Sequence, residues 1–514
     1  MPHRTPTRTP VTLGVDLGTT AVKVVAYDAT ATVTARAERA YPLRTPAPGA
    51  AEQDPDAVLH ATLNALREVT GSVGGERITG VGFSGAMHSV LGVDARARPL
   101  TPAFTWADQR AAAWAEHIRT HERGLAISER TGTPPYAMNL TAKLRWLHEE
   151  HPGVAGASHR FVSLKEYVLH ALTGEWVVDE SIASATGLYD LGARTWNDEA
   201  LRVARVTPAR LSPLVPSTFR LAPLRPDMAE RAGLMTGTPL VVGGNDGCLA
   251  NLGSGAMRPG TLCISLGTSG AVRATVTEPR TDPEGRTFCY TLTPGLWMVG
   301  GPINNGAVVL RYLRDHFTAS PAGTPYDAIL DEAARAPAGS DGLLFLPYLL
   351  GERAPLWDAH ARGAFVGATL RHTRAHYLRA ALEGVVLNLL TVRDLVQPRT
   401  PPVTQVRASG GFARSALWRQ ILTDALGHVV HFPDSPDASC LGAALLARHA
   451  LGTFPDLHAA EELVPVTLTH APDPAAHAAY AALLPVFRDA TRAITHASHA
   501  LARLQASADG ASAT

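Results

Sequence analysis

A short polar turn, Asp16-Leu17-Gly18-Thr19-Thr20, lies between two β-rich runs near the start of the chain, Val11 to Val15 and Val22 to Tyr27. Such a turn offers backbone N–H groups and two hydroxyls, with no side chain at Gly18 to keep an anion away. A phosphate suits it, and Lys23, three residues past the turn, is placed to neutralise phosphate oxygens. Taken alone, the same residues also read as an ordinary polar hairpin. The pattern returns about 250 residues later, where Leu266-Gly267-Thr268-Ser269 can be laid on Leu17-Gly18-Thr19-Thr20. That recurrence reads as an internal duplication, and two facing loops could grip a polyphosphate from both sides. There is no G-x-x-x-x-G-K-[ST] and no G-x-G-x-x-G after the first strand, which argues against a P-loop enzyme or a dinucleotide dehydrogenase.

Three further groups carry chemistry. Asp246 ends an apolar run, Leu240 to Val242, within Gly243-Gly244-Asn245-Asp246-Gly247. α/β proteins place their ligands at strand C-termini, and a carboxylate there can accept the proton of an attacking hydroxyl. Asn245-Asp246-Gly247 reads equally as a turn with a helix N-cap. Gly410-Gly411 occupies a strand-to-helix junction, where backbone can lie against a flat ring or a phosphate, or simply turn tightly. Met87 and Trp106 supply apolar surface, and His88, Asp108 and Arg110 supply polar groups, a mixture suited to a polyhydroxylated ligand. Singly, a histidine or a Trp-x-Asp is an ordinary core or turn feature, and only its company with the loops makes it a candidate.

The elements around these residues alternate. Asp54-Pro55 predicts an N-cap and first helical residue, with Leu59, Leu63 and Leu66 on one face. Strands are predicted at Ile78 to Phe83, Val90 to Val93 and Val406 to Ala408. Helices are predicted from Ala375 to about Leu395 and around Leu417, Ile421 and Leu422, and Gln397 to Val403 reads as a linker. This is an α/β pattern. At 514 residues two or three domains are expected.

Lys+Arg and Asp+Glu both number 46, so the formal net charge is zero, which disfavours nucleic acid or an acidic membrane surface as the main partner. Only Lys23, Lys143 and Lys165 among the basic residues are lysines. Four cysteines without C-x-x-C spacing argue against a zinc ribbon or a disulfide framework, and for a reducing, cytoplasmic setting. Met1 to Pro10 lacks the apolar segment of a signal peptide, and no apolar run approaches the ~18 residues of a membrane span.

Asp16 to Thr20, Gly243 to Gly247, Ser265 to Gly270 and Gly410-Gly411, in this order and spacing, resemble the FGGY family of carbohydrate kinases, part of the sugar kinase, actin and heat-shock ATPase superfamily. The resemblance runs from about Val11 to about Leu451. One family signature falls at Met138 to Glu150, with Lys143, Trp146 and Glu149 in place and Leu140 departing; another falls at Gly363 to Glu383, where Ala368 and Tyr377 depart mildly. Within the family, Ala51 to Pro55, Ser84 to Ser89, Thr105 to Asp108 with Arg110, Gly300 to Gly306, Gly351 to Trp357 and Gly410 to Ser415 look like gluconokinase motifs. Gly85 stands where serine is common in that subfamily.

The resemblance implies two ribonuclease-H-like α/β domains with ATP in an interdomain cleft. The expected layout is a flexible N-terminus at 1–10, an N-terminal domain at 11–245, a C-terminal domain at 246–495 and a disordered tail at 496–514. Gly18, Thr19, Thr20, Lys23, Gly267, Thr268, Ser269, Gly306, Gly410 and Gly411 would bind ATP. Asp246 would be the catalytic base, and Asp16 with Asp246 would hold Mg²⁺ through water. Met87, His88, Trp106, Asp108, Arg110, Asn245 and Asp246 would line the sugar-acid pocket. The implied reaction is phosphorylation of D-gluconate to 6-phospho-D-gluconate. A xylulokinase or other pentulose or polyol kinase is the alternative, and a non-catalytic sensor or actin-like assembly protein a remote one. A homodimer is compatible with the sequence.

Overall fold

The computed structural model describes residues 9–317, 325–433 and 437–511. The chain forms two compact units, one of Met1–Arg258, Thr275–Met298 and Asp437–Val464, the other of Pro259–Ala274, Val299–Pro436 and Pro465–Thr514. Each unit is therefore drawn from several stretches, rather than from one cut between Asn245 and Asp246. The expected flexible N-terminus lies outside the described residues up to position 8.

The first unit is organised by a five-stranded sheet in the order Leu240–Asn245, Ile78–Gly85, Val11–Leu17, Ala21–Tyr27, Val33–Ala40. The first three strands run parallel and the last two antiparallel, so the sheet begins with a hairpin, as the turn at Gly18 required. Alternation along the strands sorts the core. Val22, Val24 and Ala26 join Leu59, Leu63 and Leu66 on one face, while Val25 and Tyr27 join Cys248, Leu249 and Cys440 on the other. Helix Pro55–Val73 covers the first face and begins as predicted, with the Asp54 carboxylate accepting from the Asp56 and Ala57 amides. Helix Ala438–Ala450 covers the second at unusually short range: a Cβ on Gly14 would sit 1.9 Å from the Cys440 carbonyl oxygen, and one on Gly82 2.1 Å from that of Ala443. Only glycine allows that approach.

In the second unit, strands Gly270–Val276, Thr261–Leu266, Gln405–Ser409, Val430–Pro433 and Val466–His470 are consecutive in a seven-stranded sheet, the middle three parallel and the two flanking them antiparallel. The duplicated turn thus sits in a duplicated frame: a hairpin whose first strand pairs in parallel with a later one. The long helix Arg374–Val396 is the central packing element, anchored by a buried Arg379–Glu383 ion pair at 2.7 Å that Tyr480 and Ser340 complete. The disordered tail expected from 496 is a correction. Helix Pro474–Ala511 extends into it as far as Ala511, because the Ala-rich composition that reads as loose is also the best helix former, and 512–514 lie outside the described residues. No helix among the described residues is long and apolar enough to cross a membrane, and none of the four cysteines forms a disulfide.

Candidate active site

The first hairpin turn is held by side chains. Gly18 N–H donates to the Ala21 carbonyl at 3.1 Å. Tyr41 donates to the Gly18 carbonyl at 2.7 Å, the Gln53 amide to those of Gly18 and Thr19 at 3.2 and 2.7 Å, and the Trp106 indole to Thr19 Oγ1 at 2.8 Å. Gln53, part of a motif but not a predicted site residue, is therefore a principal anchor of this loop. Asp16, at the end of the first strand, accepts from Ser84 Oγ at 2.7 Å on the adjacent parallel strand. Burial pushes its carboxyl up; the Ser84 hydrogen bond and the Lys23 charge pull it down, and Asp437 adds a smaller upward push. Lys23 itself is 3.3 Å from the Asp437 carboxylate, which Arg36 also holds at 2.9 Å. Its ammonium is thus already committed within this unit.

Asp246 is the first residue of helix Asp246–Gly253, directly after the strand Leu240–Asn245. Both readings of Asn245-Asp246-Gly247 hold in part. Asn245 is the N-cap, its Oδ1 accepting from Cys248 N–H at 2.7 Å, while Asp246 stays partly exposed and accepts from Gly247 N–H at 2.9 Å. In register, Asp16 and Gly244 flank Ser84 on either side. Their backbones are two strand spacings apart, roughly 10 Å. Asp16 and Asp246 thus end parallel strands at the same edge of one sheet.

A small pocket at the ends of the Val11–Leu17 and Ile78–Gly85 strands is lined by Leu17, Thr19, Gln53, Gly85, Ala86, Met87, Ser89, Thr105, Trp106, Leu164 and Lys165. Of the predicted acceptor residues, Met87 and Trp106 are in that lining. The structure does not bring His88, Asp108, Arg110, Asn245 or Asp246 into its lining; the first three form the layer that supports it, and Asn245 is buried as the cap of the helix that Asp246 begins. His88 is buried with φ +66°, and its carbonyl accepts from Lys143 Nζ at 2.7 Å. The same ammonium donates to Thr105 O at 2.6 Å and Phe104 O at 3.3 Å. The lysine of the family signature therefore ties the His88 loop to the Trp106 loop. Burial pulls it down to about 7, the Asp108 carboxylate pushes it up, and the Arg110 guanidinium pulls it slightly further down. Arg110 is ion-paired to Asp108 at 2.6 Å and Glu52 at 2.7 Å and sits over the rings of Phe104 and Trp146. Its guanidinium braces Asp108, whose carboxylate in turn accepts from Ala51 N–H.

In the second unit the turn Gly267-Thr268-Ser269 is held by backbone. Gly306 N–H donates to Thr268 O at 3.0 Å and Ala307 N–H to Gly267 O at 2.7 Å. A Cβ on Gly306 would meet the Gly267 carbonyl oxygen at 2.5 Å, so only glycine allows this contact. Gly410 has φ +115° and its Cβ would be 2.4 Å from Leu266 O; Gly411 has open space where a Cβ would go. Thr268 and Gly411 line a cavity of about 500 Å³ with Val308, Leu310, Arg311, Tyr326, Asp327, Leu330, Phe412, Arg414, Ser415 and Trp418. Apolar walls with a few polar groups, at this volume, suit a nucleoside. Arg311, Tyr326 and Asp327 carry no motif, and sequence spacing could not have found them.

Neither Glu352 nor Asn304 was singled out. Glu352, fully buried, accepts from the Asn304 and Arg353 amides and from Asn305 and Asn388 side chains. Burial pushes its carboxyl up to about 7 against those hydrogen bonds. The Gly300–Gly306 and Gly351–Trp357 motifs are thereby joined, and with them the segment that supports the second turn.

Two α/β units, each opening on a hairpin with a polar turn, the first with a small pocket and the second with a cavity of about 500 Å³, define a two-domain sugar kinase fold of the actin superfamily. Family models for the N-terminal and C-terminal domains of the FGGY carbohydrate kinases match residues 11–253 and 262–451. The chain belongs to the FGGY family of carbohydrate kinases. It is 41% identical over 488 residues to the gluconokinase of Bacillus subtilis (strain 168), covering 93% of this chain and 95% of that one. Among solved structures, the gluconate kinase of Lactobacillus acidophilus superposes with a TM-score of 0.91 at 32% identity, covering 95% of this chain and 98% of that one. A ligand-bound xylulose kinase from the same organism gives the same score and identity, covering 94% and 98%.

Proposed function

We propose that this carbohydrate kinase phosphorylates D-gluconate, using ATP, to 6-phospho-D-gluconate. The observation that carries the reading is Asp246, a partly exposed carboxylate directly after the strand Leu240–Asn245, whose Gly244 carbonyl accepts from Lys165, a wall of the Met87 and Trp106 pocket. Gluconate is favoured by the gluconokinase of Bacillus subtilis, 41% identical across nearly the whole chain. Xylulose is the second reading, favoured by the equally similar xylulose kinase structure.

The acceptor packs its C–H faces on Met87 and Trp106, and its hydroxyls meet Thr19, Gln53, Ser89 and Thr105. Asp246 aligns the terminal hydroxyl; that oxygen forms the bond to the γ-phosphorus, the bond from phosphorus to the β,γ-bridging oxygen breaks, and Asp246 takes the proton late. Phosphoryl transfer is mostly positioning and charge neutralisation, so little covalent chemistry is asked of the protein. The nucleoside occupies the cavity floored by Gly411, with Thr268 at its phosphate end.

The residues fit a divalent metal held mainly by water and phosphate. Among the described residues no group of three or more His, Cys, Asp or Glu could hold an ion unaided, and Mg²⁺ characteristically takes one or two carboxylates and keeps its waters. Asp16 and Asp246 would hold it, and when bound it would neutralise charge building on the phosphate oxygens. A cation next to Asp16 also relieves the desolvation that pushes its carboxyl up.

Coupled ADP release with gluconate, xylulose, ribulose, glycerol and fuculose tests the acceptor. The expected result is a kcat/KM for gluconate at least about tenfold above the rest, a margin of about 1.4 kcal/mol in transition-state binding. A preference for xylulose would replace the gluconate reading while leaving the kinase intact.

A further inference from the structure

We propose that the buried Lys165–Asp179 pair, with Ser181, is a positioning device that sets the aim of Asp246 through the two residues before it. The inference rests on the reading of Asp246 as base. The strand that presents Asp246 is irregular: its register against Ile78–Gly85 shifts between Val241 and Gly244, and Gly243 has φ +74°. A bulge re-aims the residues beyond it, so the strand end needs to be fixed from outside the ladder.

One carboxylate organises that fixing. Asp179 accepts from Lys165 Nζ at 2.8 Å through one oxygen. Through the other it accepts from Ile182 N–H at 2.8 Å, capping helix Glu180–Ser184. Lys165 Nζ then donates to Gly244 O at 3.1 Å. Ser181, on the capped helix, accepts from the Asn245 amide at 3.1 Å and from its side chain at 2.9 Å. Asn245 Nδ2 also donates to the Ser181 carbonyl at 3.0 Å. Asn245 Oδ1 in turn caps the helix whose first residue is Asp246. Asp179 thus orients two arms, the Lys165 ammonium on Gly244 and Ser181 on Asn245.

Lys165 also forms a wall of the acceptor pocket. A Cβ on Gly85 would touch its side chain at 3.0 Å. The departure at Gly85 thus leaves room for this lysine stem. Lys165 and Asp179 are 2% and 1% exposed, and a buried pair of this kind contributes little net stability over apolar residues of similar size. What the pair supplies is a fixed direction for two hydrogen-bonding arms.

The test compares four variants of the full chain in the ADP-release assay with thermal unfolding alongside. Lys165→Met is expected to lower kcat on the order of 100-fold, the scale of an ångström-sized misplacement, with the KM for ATP within about twofold. In the double variant Lys165→Met/Asp179→Asn no charge is left buried alone, so the unfolding midpoint returns toward that of the native chain while kcat stays low. Ser181→Ala, which strands no charge, is expected to lower kcat about tenfold. A double variant with both midpoint and kcat restored would show a purely structural pair and overturn the proposal, as would Lys165→Met or Ser181→Ala at native kcat. Asp246→Asn is the control: turnover near the native rate there removes the base assignment itself, and with it the inference, whatever Lys165 does.

Discussion

The two hairpins share a Leu-Gly-Thr pattern and a parallel partner strand, yet they differ in what surrounds the turn. In the first, four residues separate the paired Leu17 and Val22, and Tyr41, Gln53 and Trp106 hold the turn. In the second, three residues separate Leu266 and Gly270, and the amides of Gly306 and Ala307 do the holding. Asp16 faces Ser84 across the first sheet; the matching Ser265 faces Ser409 across the second. Duplication has kept the backbone of the loop and let its charge diverge. One hairpin carries a carboxylate and is tied through Trp106 to the small pocket; the other carries Ser265, which accepts from the Arg273 guanidinium at 2.9 Å, and opens on the larger cavity.

That contrast predicts unequal responses to matched changes. Asp16→Ala should cost on the order of 100- to 1000-fold in kcat, the range for removing one electrostatic contact to a transition state, whereas Ser265→Ala should stay within about threefold. Equal losses in a steady-state assay would erase the distinction. Gly306→Ala drives a methyl into the Gly267 carbonyl and should raise the KM for ATP on the order of tenfold without altering the acceptor KM. Trp106→Phe, which removes the donor to Thr19, should do the reverse, raising the acceptor KM on the order of fivefold and leaving that for ATP alone.

The smallest effect concerns stability. The Glu352 carboxyl, raised from its ordinary 4.5 to about 7, binds its proton more tightly folded than unfolded. Its contribution therefore falls as pH rises from about 4.5 to about 7 and is flat beyond. Thermal unfolding of Glu352→Gln across this window should show a shallower decline than the native chain. Parallel profiles would place the titration elsewhere.

Most of the frame was legible in the sequence because it rests on local rules. The Asp54-Pro55 start, the strands around Gly18 and Gly267 and the helix from about Ala375 follow from capping, turn chemistry and apolar spacing. The placement of Asp246 directly after a strand was legible too, since glycines around a carboxylate at the end of an apolar run are a local signal. What escaped was the layer that only tertiary structure assembles. Lys143 reaches three carbonyls from two loops, Lys165 and Asp179 meet across 14 positions, and Glu352 joins two motifs some 50 residues apart. Arg110 was legible as polar but not as already ion-paired with Glu52, 58 positions away. Of the three lysines, Lys143 and Lys165 are buried and fully engaged, while Lys23, expected on phosphate, is paired with Asp437.

The central claim, that Asp246 is the base of a gluconate kinase, is tested most directly by Asp246→Ala assayed for ADP release with saturating gluconate and, in parallel, for ATP binding by calorimetry. The account predicts turnover at or below about one thousandth of the native rate with an ATP dissociation constant within about threefold. Turnover near the native rate with ATP binding preserved would contradict it.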